Sequence, residues 1–382
     1  MHRLLQLIEI IAVIGTISSI VYYLLSLYSA RRFLGVVRPP RLSAFPPVTI
    51  LKPLKGTDPE MYESFRSHCL QNYAEYEIIF GVSDRNDPAV VEVQRLQTEF
   101  PGSNIRLVHC DNILGANVKI SNLVQMISAA RYDHLVVNDS DIRVPADYLQ
   151  NVIAPLTDPS TGLVTCLYRA IAAPTLGSKI EALGITTDFA PGVLVARQLE
   201  GIRFGLGSTL AFRRETLRQI GGFESLLDYL ADDYQLGKRI AGQSLKVELS
   251  FSIVETYLPA YKFLDFLRHQ IRWARTIRDS RPAGYFGLIF TFGLAWATLA
   301  LITARGAPWA CTLLAVTAAA RLTVAFTVGK RVLGDAQMPA DLWLIPIRDF
   351  IAVFIWLASF AGHTVSWRGD LFTLKKGKLA RI

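Results

Sequence analysis

The stretch His134-Leu-Val-Val137-Asn138-Asp139-Ser140-Asp141 decides the fold. Four residues that suit a buried strand run straight into two carboxylates, two positions apart. In open α/β sheets ligands gather outside the carboxyl ends of the strands, so Asp139 and Asp141 stand where such a sheet does its chemistry. Two carboxylates at that spacing can meet one hard cation, with substrate phosphates completing its shell. That makes Asp139 and Asp141 candidate ligands for Mg2+ or Mn2+.

Working outward, the same pattern repeats. Val48-Thr-Ile-Leu51 reads as a buried strand ended by Lys52-Pro-Leu-Lys-Gly56, and Glu77-Ile-Ile-Phe-Gly-Val82 as a second, with Asp84 and Asp87 just beyond it. Ile105-Arg-Leu-Val108 reads as a third. Helical patterns over 59–71, 88–99 and 117–130 lie between them. Alternating strands and helices argue for an α/β fold with a doubly wound, mostly parallel sheet. Asp84 and Asp87 are placed to accept hydrogen bonds from a uracil N–H or from ribose hydroxyls. A helix cap ahead of Pro88 explains Asp87 equally well.

Gly115-Ala-Asn117-Val-Lys119 opens a helix whose free N–H groups and Lys119 suit phosphate oxygens, with Asn117 as its cap. Asn122 follows on the face of Lys119. Asp232 and Asp233 open a helix over 234–241. Helix-dipole complementarity accounts for acidic residues there, and the sharper reading makes Asp233 a general base that takes a proton from an acceptor hydroxyl. Further on, His269-Gln-Ile-Arg272-Trp273 lies on a basic amphipathic helix. Arg272 offers a planar fork for a departing diphosphate, Trp273 a surface for a sugar or lipid chain, and His269 a phosphate donor. A helix resting on anionic headgroups carries the same pattern. Gly205-Leu-Gly207-Ser208 allows close backbone approach to a ligand.

Composition sets the surroundings. Hydrophobic residues make up 51% of the 382-residue chain, and mean hydropathy is +0.30, high for a soluble enzyme. The excess sits at the two ends. Residues 10–30 carry no charge and are long enough to span a bilayer. Arg31, Arg32, Arg38 and Arg41 follow, and the positive-inside rule places the next domain in the cytoplasm. Residues 285–304, 306–328 and 350–367 are three further apolar spans. Arg321 interrupts the second and has to pair or snorkel. Three C-terminal crossings put the basic tail (Lys375, Lys376, Lys378, Arg381) outside, against that rule. Either one C-terminal segment is interfacial or re-entrant, or the tail is an exception. The expected division is an anchor and linker over 1–38, a catalytic domain over 39–280, and membrane segments and tail over 281–382. The net charge of +8 suits a membrane face or a phosphate-bearing substrate. Without a basic run interleaved with aromatics, nucleic acid is not an expected partner. The four cysteines form no Cys-x-x-Cys pair, so no zinc site or disulfide framework is expected.

Together, Leu51 to Gly56, Asp84 to Pro88, Lys119 with Asn122, Asp139 to Val144, Asp232-Asp-Tyr234, Arg272-Trp273 and Ser366-Trp-Arg368 resemble the ceramide glucosyltransferase family, over nearly the whole chain. The likeness extends to bacterial hopanoid-associated relatives. It implies a GT-A fold with one N-terminal and about three C-terminal membrane helices. It also implies inverting transfer of a glucose- or N-acetylglucosamine-type sugar from a UDP-sugar to a membrane lipid. On that pattern Lys52, Asp84, Asp87, Lys119, Asn122, Asp139, Asp232 and His269 bind the donor. Asp233 is the base, and Arg272 with Trp273 completes the last motif, whose first position holds His269 where the family usually has Gln or Arg. A processive polysaccharide synthase and a non-catalytic nucleotide-sugar-binding protein are the alternatives.

Overall fold

The computed structural model describes residues 2–36, 45–367 and 370–381. Arg38, Arg41 and Arg368, singled out above, lie outside the described residues. The chain forms two compact units: one of residues 1–36, 172–199 and 260–366, the other of residues 37–171, 200–259 and 367–382. The sequence reading set no boundary at 172 or 199.

The second unit is built on eight strands: β1 (Val48–Leu54), β2 (Tyr76–Val82), β3 (Ile105–His109), β4 (His134–Val137), β5 (Ile142–Arg143), β6 (Thr161–Ile171), β7 (Leu210–Arg213) and β8 (Lys246–Tyr257). Their order is β3-β2-β1-β4-β7-β6-β8-β5. The half from β3 to β4 is parallel, and helices Met61–Cys69, Ala89–Glu99 and Val118–Met126 make its crossovers. β7 then enters antiparallel between β4 and β6, while β6 and β8 pair parallel. The expected α/β sheet is present, with an antiparallel insertion at its centre.

These strands form because β-branched and aromatic residues fill them and both faces are covered. Ile50, Phe80, Val136, Val164 and Ala211 share one core with Phe65 and Val93 from the covering helices. Phe65 and Phe80 meet at 4.7 Å between ring centroids, and burial of side chains of this size stabilises by about 1.5–3 kcal/mol each. One boundary differs from expectation. β1 does not stop at Leu51 but runs through Lys52 and Pro53 to Leu54. Its pairing with β4 ends at Leu51, so beyond that point only β2 holds it. Proline is tolerated on such a one-sided stretch because no ladder donor is lost.

The first unit is helical. His2–Leu34, Pro308–Val332 and Met338–Ser359 are long and apolar enough to cross a membrane; Pro282–Thr291 and Gly293–Thr303 are so only together, and the 51° bend between them fits a broken span or a re-entrant loop. The expected span over 350–367 is displaced. The helix starts at Met338, ends at Ser359 and takes in Arg348 and Asp349, while Thr364–Trp367 is a strand. Gly362, with φ +144°, holds a backbone conformation that ends any helix and that side chains disfavour. Arg321 pairs rather than snorkels. Its Nε lies 3.0 Å from Asp349 Oδ2, and its Nη2 lies 2.8 Å from Asp349 Oδ1 and 2.6 Å from Asp188 Oδ1.

Candidate active site

The carboxyl end of β4 is fixed from beneath. Asn138 is fully buried and its amide donates to Ser208 O at 2.6 Å and to the Tyr148 hydroxyl at 2.9 Å. This ties the strand end to the Gly205–Ser208 loop. Lys52, also fully buried, donates its ammonium to Asp139 O at 2.9 Å. Burial lowers the Lys52 pKa to about 7 against the pull of Asp141, Asp139 and Asp58. Lys52 therefore holds up the loop that carries Asp139.

Above this floor the charged groups converge. Lys119 Nζ lies 2.7 Å from Asp139 Oδ1 and 3.1 Å from Asp232 Oδ2. Burial opposes its charge, yet Asp139 and Asp232 hold its ammonium well above the usual lysine range. Asn117 caps its helix by accepting from Ile120 N–H at 3.1 Å, and its amide donates to Asp232 Oδ1 at 3.3 Å. Gly207 N–H donates to Asp233 Oδ2 at 2.8 Å. A Cβ on Gly207 would stand 2.7 Å from Asp139 Oδ2 and 3.4 Å from Asp233 Oδ2, lengths that keep the two oxygens within about 6 Å of each other. Any side chain at 207 would fill the space between them, which is why the loop needs glycine there.

The electrostatics separate the roles. Burial and the adjacent Asp232 carboxylate push Asp233 up to about 6, with Lys119 and the Tyr234 N–H pulling the other way. A carboxylate with that pKa is ionised at neutral pH and still basic enough to take a proton. Burial and the Asp139 charge push Asp141 up to about 6 as well, while its Oδ2 accepts from the Thr256 hydroxyl. Among the described residues no group of three or more His, Cys, Asp or Glu side chains is arranged to hold a metal. The chain's contribution at the end of β4 is the pair Asp139 and Asp141. That is the complement Mg2+ ordinarily takes from protein when phosphates supply the rest.

Other expected residues fall elsewhere. Asp84 is exposed and closes a turn on Asn86 N–H at 2.9 Å. Asp87 accepts from Ala89 N–H at 2.9 Å and from Gly56 N–H at 2.8 Å, so it ties the helix after β2 to the loop after β1. Asn122 is 1% exposed, and its Oδ1 has no partner among the described residues. His269, Arg272 and Trp273 lie on the helix Phe263–Ser280 of the other unit. There His269 packs against Tyr261 and Trp273. Four participants went unassigned in the sequence. Asn117 was read only as a cap and Gly207 only as a possible close approach; Asn138 and Thr256 gave no signal, because their partners lie 70 and 115 positions away.

The glycosyl transferase family 21 model matches residues 11–380. Ceramide glucosyltransferase 3 of Caenorhabditis elegans is 23% identical across 98% of this chain and 83% of its own length. Ceramide glucosyltransferase of Komagataella phaffii is 32% identical over 162 residues, 40% of this chain and 31% of that protein. Among solved structures, the mannosyltransferase PcManGT from Pyrobaculum calidifontis, in complex with GDP-Man and Mn2+, superposes with a TM-score of 0.55 at 20% identity, covering 92% of this chain and 99% of that one. That likeness bears out the GT-A fold expected from the motifs. With carboxylates gathered at the strand ends of such a fold and a family model matching nearly its full length, the chain belongs to glycosyl transferase family 21.

Proposed function

We propose that the enzyme transfers one sugar, of glucose or N-acetylglucosamine type, from a UDP-sugar to a hydroxyl of a membrane lipid, with inversion. The acceptor is ceramide-like or a hopanoid polyol, and the sheet unit faces the cytoplasm. The observation that carries this reading is the meeting of Asp139 and Asp233 around Gly207. A nucleotide-side carboxylate and a candidate base within about 6 Å flank the space a sugar would occupy. The relatives' names support the lipid acceptor.

In this mechanism Asp233 accepts the acceptor hydroxyl's proton as that oxygen attacks the anomeric carbon. Such help is worth about 10²–10⁴ in rate. Gly207 N–H and Tyr234 N–H hold the Asp233 carboxylate in place. Lys119 balances Asp139 and Asp232 and limits the negative charge facing the diphosphate. Asp84 and Asp87 take the uridine side, and Asn122 backs the donor pocket behind Lys119. Asp139 and Asp141 would hold Mg2+ or Mn2+, which would supply Lewis-acid neutralisation of the leaving diphosphate.

The test is Asp233→Asn in purified protein. UDP affinity stays within about twofold and turnover drops at least tenfold, with a loss of about 10²–10⁴ expected. Near-full turnover removes the base assignment. Mass spectrometry of lipids from cells with and without the protein reports sugar and acceptor together.

A further inference from the structure

One buried acidic group in the helical unit is used by none of these steps. Helix Leu176–Gly184 carries Glu181, whose side chain is 1% exposed. Its Oε1 lies 3.0 Å from His269 Nδ1. Its Oε2 has no partner among the described residues. An ionisable oxygen taken out of water without a donor is costly. An apolar residue would fill the place more cheaply. A carboxylate kept there, 3.0 Å from a histidine nitrogen that likewise makes no hydrogen bond among the described residues, fixes the charge and orientation facing that ring.

What surrounds it restricts the ligand. The two segments are pressed together where a Cβ on Gly177 would come within 3.0 Å of Phe266 and 3.3 Å of Tyr261. The His269 ring stacks on Tyr261, centroids 5.6 Å apart at 26°. Its side chain is 22% exposed, so the pair is reachable through the histidine although Glu181 is not. Leu176, Phe263 and Leu264 on these same segments are 48%, 44% and 56% exposed. A carboxylate beside an imidazole repels a phosphate or carboxylate ligand and welcomes an O–H or N–H donor. The apolar rim welcomes hydrocarbon. Only an amphipath meets both demands.

We infer that His269, oriented by Glu181 and walled by Tyr261, receives the hydrogen-bonding headgroup of the acceptor lipid, an amide or hydroxyl carried on apolar chains. This moves His269 from the donor to the acceptor side, and it rests on the lipid-glycosylating reading above. Glu181 acts on the headgroup through His269, whose ring it positions, and takes no part in proton transfer.

The experiment uses full-length protein in nanodiscs, a diazirine-bearing ceramide as probe, and UDP for the donor site. Photolabelling of the unaltered protein is expected on residues 172–184 or 261–273. Glu181→Gln removes the charge that positions His269. It is expected to cut that labelling at least fivefold and raise KM for ceramide at least tenfold, with the Kd for UDP within twofold. His269→Phe keeps the ring stack and removes the nitrogens; it is expected to do the same and carries the test if Glu181→Gln does not fold. Labelling elsewhere, no labelling, unchanged labelling in both variants, or a parallel loss of UDP affinity overturns the inference. If the unaltered protein is labelled here and the variants are not, yet no glycosylated ceramide forms, the inference stands and the transfer reading fails.

Discussion

Asp233 shows how one side chain's surroundings set a testable pH dependence. Its pKa is raised to about 6 chiefly by burial and by Asp232, and lowered by Lys119. A base works only when deprotonated, so a raised pKa means activity is lost as pH falls through about 6, not through the ordinary carboxylate range. The acid limb of kcat/KM, which reports the free enzyme, is therefore expected near pH 6. Lys119→Met removes the cation that favours the ionised form. An opposite charge at close range is worth about 1–3 pKa units, so the limb moves upward by about one unit or more. A limb near 4 in the parent, or a downward move in the variant, sinks the assignment. At this scale the sequence was legible wherever chain position alone decides. Asp139 follows a buried strand, Asp232 and Asp233 open a helix, and Asn117 precedes one. It was silent wherever a contact closes a long loop. Lys119 meets Asp232 113 positions away, and Glu181 meets His269 88 positions away, and no local spacing announces either.

Among elements, segment 172–199 best separates pattern from fold. Its apolar residues are interrupted by Glu181 and Asp188, so it reads as an ordinary part of a soluble domain. In the structure those acids face histidine and arginine partners on the membrane-associated helices. Asp188 and Asp349 close around Arg321, and Arg348 lies 3.3 Å from Asp188. The backbone carbonyl of Thr187 accepts from Arg321 at 2.9 Å. Three stretches of chain are thus fastened at one arginine that is 2% exposed. Removing one member of a buried pair leaves an uncompensated charge, at about 3–5 kcal/mol. Arg321→Met is expected to destabilise by that amount in thermal unfolding in detergent. Asp349→Asn costs less, because Asp188 still partners the arginine. Combined, the two cost clearly less than their sum, as residues in one network couple. Simple additivity would show that the pair contributes nothing as a pair. Strands β1 to β4, by contrast, were readable because buried strands write a continuous apolar run, whereas β5, β6 and β8 were not read as strands in the sequence. The largest misplacement of an end, at Lys52, arose because a buried lysine and a proline inside a strand look like punctuation.

For the whole molecule the open question was the basic tail, and the structure supplies a parity argument. Within the sheet unit, Leu379 N–H donates to Asp228 O at 2.7 Å and Leu230 N–H donates to Gly377 O at 3.3 Å. The tail therefore shares the sheet's side of the bilayer. Between Ser280 and the tail stand three candidate spans, the bent pair, Pro308–Val332 and Met338–Ser359. An odd number of crossings cannot return the chain to the side it left. We propose that Met338–Ser359 is the segment that stays; the bent pair, whose geometry a re-entrant loop also produces, is the other candidate. Met338–Ser359 runs alongside Phe263–Ser280 in constant register: Phe266 shares a core with Ile345, Ala274 with Ile355, and Arg278 donates to Ser359 O. Parallel helices in register share depth, and one carrying Arg268, Arg272, Arg275 and Arg278 belongs at the interface. The start of Met338–Ser359 is fixed too: Ala172, the residue after β6, donates its N–H to Gln337 Oε1 at 2.8 Å. On that proposal three crossings remain: His2–Leu34 inward, the bent pair outward, and Pro308–Val332 inward. This puts Arg31, Arg32 and the tail's basic residues on one side, as the positive-inside rule requires. With Cys311, the exposed natural thiol, replaced by alanine, single cysteines test it in sealed right-side-out vesicles. Arg305→Cys is expected to react with an impermeant maleimide added outside. Ala336→Cys and Ala361→Cys are expected to react only after the membrane is opened. Outside labelling at 361 would restore the third C-terminal crossing and separate the tail from the sheet, which its own backbone hydrogen bonds forbid.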